Sequence, residues 1–106
     1  MRGEVESVGG VNVAPNESKV RGKVIKIEPG PEGVGSVWSI EVNETQDVNN
    51  LPNFARRHIG KVISVFVHPE MKKEVKESDF IEAHISFQGD ERGGAFFLIN
   101  DNVNRL

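Results

Sequence analysis

Three histidines, one serine among strand-forming residues and a glycine-rich loop are the groups whose types could carry chemistry in this 106-residue chain. His58, His68 and His84 are its only imidazoles, and it has no cysteine. Structural zinc sites draw on thiolates or on histidines at short fixed spacing. These histidines fall on three separate segments with no His-x-x-x-His pair, so no metal and no cofactor is expected. Ser64, His84 and Glu82 supply the residue types of a hydrolytic triad but no recognisable order, and a domain this small seldom encloses a cleft that excludes water. No catalytic residue is assigned, and the chain is not read as an enzyme. Gly30, Gly33 and Gly35 are spaced like a phosphate-cradling loop. A strand rather than a helix follows them, however, and the Gly-Lys-Ser/Thr of a P-loop is missing, so they read as a hairpin turn. Asn16-Glu17-Ser18 and Asn43-Glu44-Thr45 match the glycosylation sequon. Residues 1–10 (MRGEVESVGG) hold no apolar signal core, so the sequons read as chance and the chain as cytoplasmic.

A different chemistry remains: cations that neutralise phosphate and rings that stack on bases. Arg21 and Lys23 stand two apart on an extended segment. Arg56, Arg57 and Lys61 cluster around a turn, and Lys72, Lys73 and Lys76 share one loop. Phe66 has Ser64 and His68 as its parity partners, so it reads as an outward ring available for stacking, or as a ring packed under a helix or loop. Trp38 shares parity with Ile40 and Val42 and reads as core. Glu28, Glu32, Glu41, Glu70, Glu74 and Glu77 interrupt the basic residues. The net charge of −3 excludes a strongly basic nucleic-acid binder as a description of the whole chain.

A sheet must position these groups. Hydrophobic residues make up 37% and charged residues 27%, as in a compact soluble domain. No apolar run approaches the ~20 residues of a membrane span, and no membrane partner is expected. Val and Ile outnumber Leu and Ala, and β-branched side chains pack best on pleated sheets. Residues 1–18 read as a flexible lead-in with a short extended piece, Val11-Asn12-Val13, and residues 19–106 as one domain. The first strand spans 19–28, with Val20, Gly22 and Val24 on one face. Its apolar phase then slips to Ile25 and Ile27, as at a β-bulge. The second spans 34–44, with Val34, Trp38, Ile40 and Val42 on one side. A short strand is read at Asp47-Val48, then a short helix with Asn50 as N-cap, Pro52 in its first turn, Phe54 and Ile59 for packing and Gly60 as its stop. Residues 61–68 alternate as a strand and 69–79 form a charged loop. Residues 80–88 alternate again, with Ile81, Ala83, Ile85 and Phe87 inward. After a turn at 89–94, residues 95–100 form a further C-terminal strand.

A long bent strand, a meander, one short helix and more strands is the order of an OB-fold barrel. The expected fold is therefore all-β: an OB-fold-like small β-barrel with one short helix and an additional C-terminal strand. An SH3-like or translation-factor-type barrel is the alternative. The stretch from Val11 to Gln88 resembles the OB-fold domains of archaeal replication protein A and related single-stranded DNA-binding proteins. VNVAPNESKVRGKVIKIE, VWSIEVNET, ARRHIGKVISVFV and DFIEAHISF carry the likeness. It implies a non-catalytic binding module for single-stranded DNA or RNA, weak or dependent on a partner. In OB-folds the loops after the first strand and between the fourth and fifth embrace the ligand. If the helix precedes the fourth strand, the loop of Lys72, Lys73 and Lys76 is that second arm. Arg21 and Lys23 then line the outer face of the first strand, and Phe66 stacks a base. The alternative is a protein–protein interaction module, or a small subunit of a larger complex, docking through a sheet edge such as 95–100. The acidic balance and the lack of several exposed aromatics on the second strand favour it.

Overall fold

The computed structural model describes residues 14–90 and 93–106; Val11-Asn12-Val13 and most of the expected flexible lead-in lie outside them. Five strands follow in order: β1 (Ser18–Pro29), β2 (Ser36–Asp47), β3 (Val62–Val67), β4 (Phe80–Asp90) and β5 (Gly93–Arg105). They close into a barrel in the order β1-β2-β3-β5-β4, with β4 returning to β1. Every neighbouring pair is antiparallel except β3 with β5. The protein is thus all-β, a closed five-strand barrel of the OB-fold-like kind with almost no helix. Among the described residues no helix is long and apolar enough to cross a membrane.

β1 closes the barrel because it pairs on both sides. Residues 18–23 face β4 on one edge while the whole strand runs along β2 on the other. Val20, Gly22 and Val24 point inward and are buried. The register with β2 jumps between Val24 and Lys26, which leaves Ile25 without a partner. The expected bulge is therefore present, with one correction: Ile25 is the bulged residue itself and stands 45% exposed, while Ile27 turns back against the core. Gly22 lies at a second register shift, where a Cβ would come within 2.1 Å of the Glu41 carbonyl oxygen. Only glycine allows the two strands to approach so closely there.

Alternation fills the interior. Trp38, Ile40 and Val42 of β2 are buried, as are Ile63, Val65 and Val67 of β3 and Ile81, Ala83 and Ile85 of β4. Val34 does not join them. It lies before β2, in the loop that carries a 3-10 turn at Pro31–Gly33, and is 60% exposed. The additional C-terminal strand forms and is the fifth member of the barrel, running past Asn100 to Arg105. It continues through a wide bulge. Ala83 pairs with Val103 and Ile85 with Leu98, so Ile99, Asn100, Asp101 and Asn102 all stand opposite His84. The sequence reading ended the strand at Asn100; there φ is 51°, the chain bulges, and Val103 returns to the core. Asp47 belongs to β2, so no separate strand forms at Asp47-Val48.

The two barrel ends are closed by loops. The 68–79 loop crosses the end where β3 finishes and β4 begins, and sets Met71 and Val75 against the core. The β2–β3 connection crosses the other end with Phe54 and Ala55. Ser18 Oγ accepts a hydrogen bond there from the Ala55 amide at 3.4 Å. The expected helix shrinks to a 3-10 turn, Arg56–His58. The amides of His58 and Lys61 bond three residues back, to the carbonyls of Ala55 and His58. The segment between Pro52 and Gly60 is too short to pass the costly nucleation of an α-helix, and Ile59 is left exposed.

Ile40→Ala removes a fully buried side chain at the centre of β2 and is expected to lower stability by about 2–5 kcal/mol. Urea unfolding followed by Trp38 fluorescence measures it. A native emission at the wavelength of a solvated indole, or a loss far below that range, contradicts the core placement.

Candidate functional site

With Trp38, Val65 and Phe96 turned inward, pleating turns their neighbours outward. Val37, Phe66 and Phe97 are cross-strand partners on β2, β3 and β5. The row runs on to Glu28 of β1 at one side and Ser86 of β4 at the other. Phe66 and Phe97 lie half-buried on the outside of the barrel. Their ring centroids are 5.4 Å apart and their planes 27° apart, a stacked pair. Lys26, Ser39 and Ser64 form part of a second outward row. Phe66 is thus where its parity placed it. Phe97 escapes a sequence reading because Phe96 and Phe97 adjoin in an apolar run (AFFLIN). Neither parity is polar there, so alternation cannot say which ring faces out.

Among the described residues β3 and β5 pair at two positions, Val65 with Phe96 and Phe66 with Phe97. Toward the start of β3 the strands part and leave a groove lined by His58, Val62, Ser64, Phe66, Ala95 and Phe96. His58 packs edge-on against Phe96, with ring centroids 5.6 Å apart.

The expected basic residues do not converge. Arg21 points outward from β1 and is held by Glu82, Nε to Oε2 at 2.9 Å. Lys23 sits 6.0 Å from the Phe80 ring centroid. Lys72, Lys73 and Lys76 are exposed on the 68–79 loop. That loop joins β3 to β4; the β4–β5 connection is the short segment between Asp90 and Gly93. The Lys72–Lys73–Lys76 loop is therefore not the second arm it was expected to be. It covers one barrel end with Met71 and Val75, and the 3-10 turn at Arg56–His58 lies directly before β3 and not directly before β4. Lys73 Nζ is also occupied, donating to the Val103 carbonyl at 3.0 Å and to Asn104 Oδ1 at 3.3 Å. Arg57 and Lys61, at the opposite end beside the groove, are exposed and have no ion-pair partner among the described residues.

The histidines are likewise dispersed. His68 Nε2 lies 3.0 Å from the Asn100 carbonyl and 3.2 Å from Asp101. His84 Nδ1 lies 2.6 Å from Glu17. Ser64 on β3 is separated from His84 and Glu82 on β4 by the whole of β5. Two carboxyls are held below the ordinary carboxylate range. Hydrogen bonds from Asn53 and then Arg56 do this for Asp47, and the Arg21 guanidinium does it for Glu82. The part of the lead-in that is described is tied to β4: Asn16 Nδ2 donates to the Phe87 carbonyl at 2.9 Å, and the Phe87 amide donates to Asn16 Oδ1 at 2.7 Å.

No family model, curated protein or solved structure matches the chain.

Glu82 makes a sharp titration probe of the β1–β4 face. Because its folded pKa is lowered, its contribution to stability is complete above the ordinary glutamate pKa and is lost as pH falls through the folded value. Arg21→Gln is expected to move the Glu82 carboxyl midpoint upward in an NMR titration. The stability gap between variant and parent should close at pH values below the parent's Glu82 pKa. An unmoved midpoint contradicts the pairing.

Proposed function

We propose that this barrel is a non-catalytic module that binds single-stranded nucleic acid, DNA or RNA, across the outer face of β2, β3 and β5. The observation that carries the reading is the Phe66–Phe97 pair, two rings stacked on the outside of a barrel whose interior is already filled. An outward apolar patch is the informative exception on a protein surface. Rings in a row with Val37, followed by the hydroxyls of Ser39 and Ser64, offer a base a flat apolar face and polar neighbours. The OB-fold-like strand order supports the same reading, since strands two and three of that fold form the ligand face, and the sequence resemblance noted above implies it as an expectation. A cytoplasmic setting belongs to this proposal.

The cations best placed for phosphates are Arg57 and Lys61 near the start of β3, and Lys26, which stands across from Ser39 on an exposed ion pair with Glu28 at 3.1 Å. Arg21 is engaged by Glu82, and the Lys72–Lys76 loop plugs the barrel end, so both are peripheral here. The competing reading is a protein partner pairing along 95–100, an edge that the barrel itself takes in part. β5 is paired to β4 over residues 93–98 and to β3 at Phe96 and Phe97.

Few free cations mean weak electrostatics. About three neutralised phosphates, at ~0.7 each, give a slope of log affinity against log salt near −2. Phe66→Ala and Phe97→Ala should each weaken binding of a labelled oligonucleotide by about 1–3 kcal/mol without changing that slope. Lys61→Glu should flatten the slope, and Lys72→Glu with Lys73→Glu should leave affinity nearly unaltered. Anisotropy titrations at low and moderate salt test this. Absence of binding at low salt, where electrostatic attraction is strongest, rejects the proposal.

A further inference from the structure

We infer that the open seam between β3 and β5 is a pocket for a single nucleobase, so that the module prefers one base at one position of the strand. This rests on the reading of the Phe66–Phe97 face as a single-strand platform.

The argument begins with hydrogen-bonding direction. The Val42 amide donates to the Lys61 carbonyl at 2.9 Å, which fixes the register of β3 on β2. Backbone groups of successive strand residues point to opposite edges. Lys61, Ile63 and Val65 therefore address β2, while Val62 and Ser64 address the β5 side. There the ladder begins only at Val65 and Phe96. On the far wall, Gly94 and Ala95 stand opposite Gly89 and Gln88 of β4, so by the same alternation one of the two turns its backbone groups toward the seam. The rim of the seam is thus a strand edge that presents an amide donor and a carbonyl acceptor, with the Ser64 hydroxyl beside them.

The walls are of the opposite character. Phe66, Phe96 and His58 place rings around the opening, and Ala95 is the smallest side chain in it. The groove measures about 350 Å³, at the lower end of the ~300–1,000 Å³ typical of small-molecule sites. Rings on the walls and hydrogen-bonding groups on the rim complement a ligand that is flat, apolar on its faces and polar along its edge. A nucleobase has that form. Phe66 belongs to both the groove and the stacked pair, so a strand lying on the platform delivers the next base to the seam. Arg57 and Lys61, exposed and next in sequence to the lining residues His58 and Val62, are the cations nearest in the chain for its phosphate.

A base read along its edge by paired donors and acceptors is discriminated by about tenfold or more from the wrong base. The test uses short labelled strands of dA, dC, dT and alternating dG-dT, titrated against the full chain. One composition should bind about tenfold tighter than the weakest. Ala95→Leu, which fills the seam, should bring that strand down to the level of the others and leave the others unchanged. His58→Ala, at the opposite wall, should narrow the preference in the same sense and serves if Ala95→Leu disturbs the fold, which the Trp38 emission reports. Phe97→Ala, which lies in the stacked pair but outside the groove, should weaken all four strands together. Equal affinities for all four strands, or a preference that survives both seam variants, overturn the pocket and leave the platform standing. Absence of binding by any strand overturns both.

Discussion

The molecule depends on one strand satisfying two neighbours at once. β1 supplies both edges of the closure, against β2 along its length and against β4 over residues 18–23. A flat strand cannot do this, because neighbours that flank it at the start would diverge before they met around a barrel. The bend comes from two local devices. Gly22 lets the Glu41 carbonyl approach to where a Cβ would stand, and Ile25 is looped out so that β2 gains a residue of register. The cost is an isoleucine left 45% exposed, which is small beside the burial of Val20, Val24, Trp38 and Ile40 that closure makes possible.

Closure then decides which surfaces are left for a partner. Both barrel ends are plugged by the chain itself, by Met71 and Val75 at one and by Phe54 and Ala55 at the other. The β1–β4 wall carries opposite charges, Lys19 and Arg21 against Glu82, with the His84 ring 2.6 Å from Glu17 beside them. Such exposed pairs add little stability, but they leave few charges unmatched. The β2–β3–β5 wall differs in kind, with rings, hydroxyls and few charges. A wall that is apolar outside, over a core already complete inside, gains from contact with another molecule what it cannot gain from its own fold.

Period-two alternation made most of the barrel readable. Trp38, Ile40 and Val42 opposite Ser39 and Glu41, and Ile63, Val65 and Val67 opposite Ser64, carry their own orientation. The phase slip after Val24 announced the bulge. What failed lacked a polar parity or depended on distant pairing. Phe96 and Phe97 are chemically alike, and only the pairing with β4 and β3 turns one in and the other out. Asn100-Asp101-Asn102 has turn chemistry, and only the far side of the bulge, where Val103 is buried, shows that the strand goes on. The loop of Lys72, Lys73 and Lys76 has the composition of a solvated ligand arm. Its apolar members, Met71 and Val75, are the ones that decide its place, because a barrel end must be covered. The ligand itself is not legible from residue types, since a stacked pair of rings is generic until its neighbours are known.

The seam follows from a conflict within β5. That strand pairs with β4 on both sides of its bulge, over 93–98 and again over 103–105, so its path is set by β4 and not by β3. β3 has six residues, and β2 pairs with every one of them. The parallel ladder has to join two strands whose paths are set by other partners, and among the described residues it holds two positions. Parallel pairing is the less stable kind per residue, so little is lost where it stops. Backbone groups left over in a solvated groove keep their hydrogen bonds with water and carry no burial penalty. Those groups become informative only when something displaces that water. A ligand that reproduces their hydrogen bonds is accepted, and one that cannot leaves a donor or acceptor unmatched and is rejected. On the proposed reading, the shortest join in the barrel is for that reason the place where ligands would be discriminated, while the joins that closed fully hold the shape.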